Sequence, residues 1–348
     1  MNLHSLRLRV ASVAAVAVAA AAVGTVTAVA VAAARPAPGG AEAGRPIILL
    51  VHGRGQLGRD TAVLRAQWER ALGAGIAALT SRPLLAPGDV RLVWYADVLD
   101  PASPSPSCDD DEGDAEDARA SSPPARSDAG DTGDVLQLLA SVTSAFFTSL
   151  YESIPGESRT AMRELVGDLL YLGDRWRRCA VEHRLASALD LAAREQRPVV
   201  LVAHSLGSLV SYRYLRADRA GARQQPAPAI HRYVTLGSML GIPELQELLL
   251  GRAGPLALSA RVGSWVNVRH DDDPFAVPLA DSTGARERSS PRIRELVTSS
   301  TTSDPHDIVG YLRDPAAARA IAWAWCDAFK ESRARAPAAC GDVRDVTN

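Results

Sequence analysis

Among the residues of this chain, a serine in a short turn has the sequence context that most strongly indicates a chemical role. Residues 199–207 read VVLVAHSLG, so an apolar run leads into a small-x-Ser-x-Gly turn, and helical spacing follows over residues 208–215. This arrangement lifts the hydroxyl of Ser205 off the end of a strand and exposes it at a helix N-terminus. Because backbone N–H groups and the helix dipole favour negative charge there, the pattern predicts that Ser205 is a nucleophile.

A serine hydroxyl becomes a good nucleophile only when a base takes its proton, and that base is most often a histidine. After a serine turn of this kind, the acid and then the histidine come later in the chain. His270 and His306 both follow Ser205, but His270 leaves no room for an acid before it. His306 lies in a polar segment before the last helix and is the predicted base; a surface or helix-capping histidine is the alternative. His52 and His204 border turns and are interpreted as structural.

The acid that orients the base is expected just after a strand, in the run Asp271-Asp272-Asp273-Pro274. Pro274 rigidifies this loop and favours an extended conformation at Asp273, so Asp273 is the preferred acid. Asp271 and Asp272 remain alternatives, since a run of carboxylates is also typical of a solvated turn.

A glycine-rich turn follows the first apolar run and fits a site for developing negative charge. It reads His-Gly-Arg-Gly at residues 52–55, and Gly53 and Gly55 allow the backbone to bend close to a substrate. The backbone N–H groups of Arg54 and Leu206 would then face the oxyanion. One strand upstream of a serine turn, this motif predicts an oxyanion site.

The elements that must position these residues alternate between strand and helix. Apolar runs predict strands at 47–51, 90–95, 199–203, 233–236 and 265–269, and residues 293–297 are ambiguous. Helical spacing is found at 59–79, 208–215, 243–250 and 311–329. The alternation predicts an α/β fold with a mostly parallel sheet of about six strands and helices on both faces.

The chain divides into segments of different composition. Residues 1–34 combine a basic start with an Ala/Val run and are typical of a signal peptide or membrane anchor, so the domain is expected to be exported, and membrane contact is possible there. A linker (35–45) leads into a domain over 46–330, which carries an acidic insertion expected to be disordered (101–134) and a helical insertion (135–197) that is either a lid or a crossover. Residues 331–348 are interpreted as a C-terminal tail.

Composition and net charge limit the classes of partner and cofactor that we expect the chain to bind. The chain has 348 residues, 47% of them hydrophobic, and a net charge of −2, so bulk charge points to no nucleic-acid partner. Four cysteines in an exported chain permit disulfides, and Cys326 and Cys340 are close enough in sequence to staple the C-terminal tail. No Cys-x-x-Cys occurs, and neither a metal nor a cofactor is predicted.

Together these motifs resemble the α/β-hydrolase superfamily, and within it the bacterial lipase- and esterase-like serine hydrolases. The resemblance rests on VHGRG at 51–55, AHSLG at 203–207, Asp273-Pro-Phe and a late His306, and it covers roughly 46–100 and 198–330. Ala203 stands where the family usually has glycine, and the family's first antiparallel strands have no clear counterpart before Ile47, so a reduced sheet is expected. The resemblance implies acyl transfer to a serine and then to water, without a metal.

The sequence therefore predicts an exported serine hydrolase that cleaves an ester, thioester or amide of a small or lipid-like acyl compound. Ser205, His306 and Asp273 would form the triad. An acyltransferase or a peptidase on the same triad is one alternative, and a non-catalytic binding module on the same scaffold is another.

Overall fold

The computed structural model describes residues 44–100, 103, 171–219, 229–250, 256–279, 293–298 and 304–343. The predicted signal or anchor segment, nearly all of the linker and of the acidic insertion, and the helical insertion up to residue 170 lie outside the described residues. Within the described ranges, none of the helices combines the length and the apolar character needed to cross a membrane.

Six strands in the described part of the chain form one parallel sheet. They are β1 (Ile47–Val51), β2 (Val90–Val93), β3 (Val199–His204), β4 (Ile230–Leu236), β5 (Trp265–His270) and β6 (Ile293–Thr298). Their order is β2-β1-β3-β4-β5-β6, and every neighbouring pair is parallel. The predicted α/β class with about six mostly parallel strands is confirmed, and the ambiguous residues 293–297 belong to an edge strand.

Helices cover both faces of this sheet. The helices that bear on the site are α1 (Thr61–Ala77), α2 (Arg175–Arg194), α3 (Leu206–Arg219), α4 (Pro243–Leu250), α5 (Ile308–Arg313) and α6 (Pro315–Asp327). Alternate residues of β1 face opposite layers: Leu49 packs with the cluster that includes α2 and α3, and Leu50 packs with the cluster that includes α1, α5 and α6. This double burial explains why the central strands are continuous apolar runs.

The prediction of a single helix over residues 311–329 is wrong. The segment forms α5 and α6, which are separated at Asp314, a residue with an extended backbone. Pro315 disfavours helical geometry at the residue before it, and the Asp314 side chain accepts hydrogen bonds from the N–H groups of Ala316 and Ala317, which begins the new helix. The break lets α5 carry Tyr311 against the site independently of α6.

All six strands begin on the same side of the sheet, at their amino ends (the entry edge), where buried charges are paired. Asp89 is 1% exposed and accepts two hydrogen bonds from Arg45, at 3.2 and 2.7 Å, and one from Arg197 at 3.3 Å. Arg197 also donates to the carbonyl of Arg45 at 2.9 Å. These contacts tie together the segments that precede β1, β2 and β3.

The chain beyond residue 330, interpreted from the sequence as a tail, packs on the entry edge as far as Val343. A disulfide joins Cys326 of α6 to Cys340, and Ala339 and Val343 are buried in the core. The hydroxyl of Ser332 donates to the carbonyl of Gly44. The first and last described parts of the chain therefore meet at this edge, and the Cys326–Cys340 disulfide, one of the pairings that the sequence permitted, is present.

The opposite edge (the site edge) collects the carboxyl ends of all six strands. The chain runs from β1 outward to β2, then returns to place β3 on the other side of β1. In open parallel sheets the loops after two such strands diverge and leave a crevice between them, which is where ligands bind. The loops after β1 and β3 are those that carry residues 52–55 and 203–207.

Candidate active site

Ser205 lies in a strained turn between β3 and α3. Its φ is 53°, a left-handed value that a non-glycine residue seldom adopts. The Ser205 N–H donates to the carbonyl of Leu236 on β4 at 3.1 Å. The strand–turn–helix context predicted around Ser205 is present. Ser205 is only 2% exposed, however, so the expectation of an exposed hydroxyl is wrong: the loops of the site edge pack closely around it.

Two glycines leave room for this turn. A Cβ on Gly207 would lie 2.5 Å from the carbonyl oxygen of His52, and a Cβ on Gly53 would lie 2.8 Å from the Cβ of Ser205. Both distances are too short for real Cβ atoms. The serine turn (residues 203–207) and the turn after β1 (residues 52–55, the oxyanion turn) can therefore touch only because both positions are glycine.

His306 lies between Ser205 and Asp273. Its Nε2 is 2.8 Å from the Ser205 Oγ, and its Nδ1 is 2.8 and 3.0 Å from the two carboxylate oxygens of Asp273. Because the carboxylate can only accept, Nδ1 carries the proton, and Nε2 is left to accept from the serine hydroxyl. The three residues proposed from the sequence thus form one hydrogen-bonded chain.

Asp273 is the carboxylate of the run that faces the histidine. Its side chain is completely buried, whereas those of Asp271 and Asp272 are 68% and 86% exposed. Burial raises the pKa of Asp273, but hydrogen bonds from His306, Tyr311 and the N–H of Phe275 outweigh it and hold the pKa below its usual value. The carboxylate is therefore kept ionised beside the imidazole.

Sequence reasoning missed Tyr311. Its hydroxyl donates to Asp273 Oδ2 at 2.7 Å and accepts from the N–H of His270 at 3.0 Å. Burial, followed by the charge of Asp273, raises the pKa of Tyr311, so its hydroxyl stays a donor. No local signal marks this tyrosine, because it lies in a helix and meets Asp273 only through the fold.

The loop that presents His306 (residues 304–307, the base loop) is held on several sides. The N–H of His306 donates to the carboxylate of Asp304 at 2.9 Å, and Asp307 caps α5. The ring of His204 donates from Nε2 to the carbonyl of His306 at 2.9 Å. Phe275 packs edge-on against the His306 ring at 4.6 Å. These contacts fix the direction in which the imidazole points.

His52 fixes the oxyanion turn. Its Nε2 accepts from the N–H of Tyr95 at 3.1 Å, so its Nδ1 carries the proton and donates to the carbonyl of Gly53 at 2.6 Å. The Tyr95 hydroxyl donates to the carbonyl of His52, and the two rings stack. Burial lowers the pKa of His52 to about 4. Through these contacts His52 holds the oxyanion turn, which is the kind of structural role predicted from the sequence.

Arg54 and Leu206, the two residues predicted to supply oxyanion donors, flank the serine. Leu206 is the first residue of α3, where backbone N–H groups have no acceptor within the helix. Arg54 follows Gly53, which lies against Ser205, and its carbonyl is held by the Gln56 side chain at 2.9 Å. The Arg54 guanidinium lies over the ring of Phe275, 5.4 Å from its centre. Both backbones therefore border the serine.

The described residues include no group of three or more His, Cys, Asp or Glu side chains arranged to hold a metal ion. No family model and no curated protein matches the chain. The interpretation of the site therefore depends on its own geometry.

Proposed function

We propose that this protein is a serine hydrolase that cleaves an ester, a thioester or an amide through an acyl-enzyme. The single observation that carries the proposal is the hydrogen-bonded chain from Ser205 through His306 to the buried Asp273. Three side chains separated by 33 and 101 residues in sequence converge on distances of 2.8 Å. Such convergence at a crevice between strands is typical of nucleophilic catalysis.

In the proposed mechanism, Ser205 Oγ attacks the carbonyl carbon of the substrate while His306 Nε2 takes the hydroxyl proton. Asp273 holds the ring and stabilises the imidazolium that forms. The backbone N–H groups of Arg54 and Leu206 stabilise the oxyanion. His306 then gives its proton to the leaving group, and a water molecule, activated by the same ring, releases the acid and restores Ser205.

The finer assignment to the α/β-hydrolase fold is part of this proposal. It is supported by the position of Ser205 after β3, by the position of the oxyanion turn after β1, and by the order serine, acid, histidine along the chain. The sheet begins at β1 with parallel strands only in the described ranges, which fits the reduced sheet expected from the sequence.

Export is also part of the proposal. The Cys326–Cys340 disulfide supports it, because disulfides persist mainly in oxidising compartments. Alkaline phosphatase fused after residue 45 should be active, since that enzyme needs disulfides formed outside the cytoplasm. An inactive fusion together with an active cytoplasmic reporter at the same junction would contradict export.

The decisive experiment is labelling of the purified protein with a fluorophosphonate, which reacts with an activated serine. The wild-type protein should be labelled and should hydrolyse p-nitrophenyl esters, and Ser205→Ala should do neither while retaining its Tm. Ser81→Ala, at an exposed serine that follows α1 and donates to Asp342 in the last described segment, is the matched control and should behave as wild type. An unlabelled wild-type protein would favour a non-catalytic module, and transfer of the acyl group to an added amine or alcohol faster than to water would favour an acyltransferase.

A further inference from the structure

The ring of His204 contacts both the base loop and the oxyanion turn. It belongs to the last residue of β3, directly before Ser205, and it is 7% exposed. Its Nε2 donates to the carbonyl oxygen of His306 at 2.9 Å, and the two rings lie 4.9 Å apart. Its Nδ1 faces the oxyanion turn, where a Cβ on Gly53 would approach it to 3.0 Å.

We infer that His204 is a positioning residue that fixes the base loop relative to the nucleophile. This inference rests on the proposed function and adds a residue to it. A carbonyl oxygen can only accept, so the hydrogen bond requires a proton on Nε2 of His204. The donor and the nucleophile are adjacent residues of one strained turn, so this bond links the turn of Ser205 directly to the backbone of His306, in addition to the contacts that Asp304 and Phe275 make with His306.

The charge state of His204 fits this role. Burial, followed by the charge of the neighbouring His306, lowers the pKa of His204 to about 3, although the hydrogen bond to the His306 carbonyl and the charge of Asp273 act in the opposite direction. A neutral ring adds no positive charge beside His306 when that imidazole takes up the serine proton. The Nε2–H tautomer also leaves Nδ1 without a proton, which is compatible with its close approach to Gly53.

A pair of substitutions separates the effect of losing the hydrogen-bond donor from the effect of losing the ring. His204→Phe keeps a ring of similar size and removes the donor, whereas His204→Gln places an amide N–H near the position of Nε2. We expect His204→Phe to lower kcat by about 10- to 100-fold, because a shift of about 1 Å in a catalytic group costs about that much. KM should change by less than about threefold, since the ring is buried and its nitrogens face the His306 carbonyl and the backbone of Gly53.

His204→Gln should recover kcat to within about fivefold of wild type, which loss of packing alone would not allow. The exposed His183→Phe on α2 is the control and should leave kcat and KM unchanged. A kcat for His204→Phe within about twofold of wild type would overturn the inference, and so would a His204→Gln variant as impaired as His204→Phe. Tm is measured for every variant.

The tautomer provides a test that needs no variant. Nitrogen-15 chemical shifts of the His204 ring in the wild-type protein should show a neutral ring with its proton on Nε2 between pH 6 and pH 8. A proton on Nδ1, or a doubly protonated ring, would overturn the inference even if the protein is an active hydrolase. Conversely, failure of wild-type fluorophosphonate labelling would refute the proposed function without affecting this measurement.

Discussion

His306 at the site edge and His231 at the entry edge each have a carboxylate beside Nδ1, but different groups face their Nε2. His306 has Asp273 on Nδ1 and the hydroxyl of Ser205 on Nε2. His231, near the start of β4, has Glu331 on Nδ1 at 2.8 Å and Asp327 on Nε2 at 3.1 Å. Both nitrogens of His231 thus face carboxylates, whereas Nε2 of His306 faces a hydroxyl whose proton it can take.

The two edges also differ in how they satisfy buried polar groups. At the entry edge, charges meet opposite charges, as in the contacts of Arg45 and Arg197 with Asp89. At the site edge, neutral rings such as His52 and His204 hold backbone carbonyls and keep turns in place. At the entry edge, ion pairs hold together the segments that precede the strands. At the site edge, neutral donors hold the turns that position the side chains around Ser205.

The largest expected effect comes from exchanging the two histidines for alanine one at a time. His306→Ala should lower kcat for a p-nitrophenyl ester by about 10³-fold or more, because the serine loses its base. His231→Ala should keep kcat within about threefold and lower Tm by a few degrees, since it removes one partner from each of two carboxylates and Lys330 still pairs with Asp327. A large loss of activity in His231→Ala would break the distinction between the edges.

Removing the charge of the acid should cost as much as or less than removing the base. In Asp273→Asn the side-chain N–H groups compete with His306 Nδ1–H, which favours the wrong tautomer, and kcat should fall by about 10²- to 10³-fold. The exposed Asp271→Asn is the matched control and should stay within about twofold of wild type. Sensitivity at Asp271 or Asp272 with tolerance at Asp273 would show that the acid has been assigned to the wrong position.

The pH dependence of stability should differ between the edges. Below the usual histidine value of 6.5 an unfolded His52 takes up a proton, while the folded ring, with its pKa near 4, does not. The unfolded state then binds more protons, so stability should fall as the pH drops from 6.5 toward 4, by about 3 kcal/mol for this ring. Urea unfolding of the wild-type protein measures this slope.

Two comparisons sharpen the pH result. His52→Gln removes one of the two buried rings that resist protonation in this range, the other being His204, and should roughly halve the slope between pH 6.5 and pH 4; the exposed His183→Gln should leave the slope unchanged. At the entry edge, burial raises the pKa of Asp327, but Lys330 and His231 lower it below 3.8, so its contribution is present above that pH and is lost only at lower pH. An unchanged slope in His52→Gln would show that its ring is protonated in the folded protein.

The smallest expected effect concerns Tyr311. Tyr311→Phe removes one hydroxyl that links Asp273 to the end of β5, and a hydrogen bond to a charged group corresponds to about a 10-fold change in kcat. The shape of the buried ring is retained, so Tm should fall only slightly. A kcat equal to that of wild type would mean that Asp273 is held well enough by His306 and the N–H of Phe275.

The parts of the site found from the sequence are those that have a local cause. Ser205 needs a strand before it, a helix after it and Gly207 within the turn, and all three are adjacent in sequence. Asp273 lies in a short polar segment after a predicted strand, and His306 lies in one before the last predicted helix. The strand positions were predictable because central parallel strands are apolar along their whole length.

The parts that were missed depend on contacts distant in sequence. Tyr311 reaches Asp273 across 38 residues, and Arg197 reaches Asp89 across 108. Residues 293–297 stayed ambiguous because an edge strand is only partly buried, so its apolar and polar residues do not alternate regularly. The break at Asp314 did have a local signal, an aspartate before a proline, but the apolar spacing on both sides obscured it.

The meeting of the first and last described segments at the entry edge, through the Ser332–Gly44 contact, determines how the domain can be attached to a surface. A support, a tag or a fused protein joined near either of these segments is connected to the side of the sheet that does not carry Ser205. The six strands, each advancing about 3.3 Å per residue, separate that attachment from the crevice. Attachment near either of these described segments should therefore leave the loops around Ser205 facing the solution, a useful property for a sensor or a reactor.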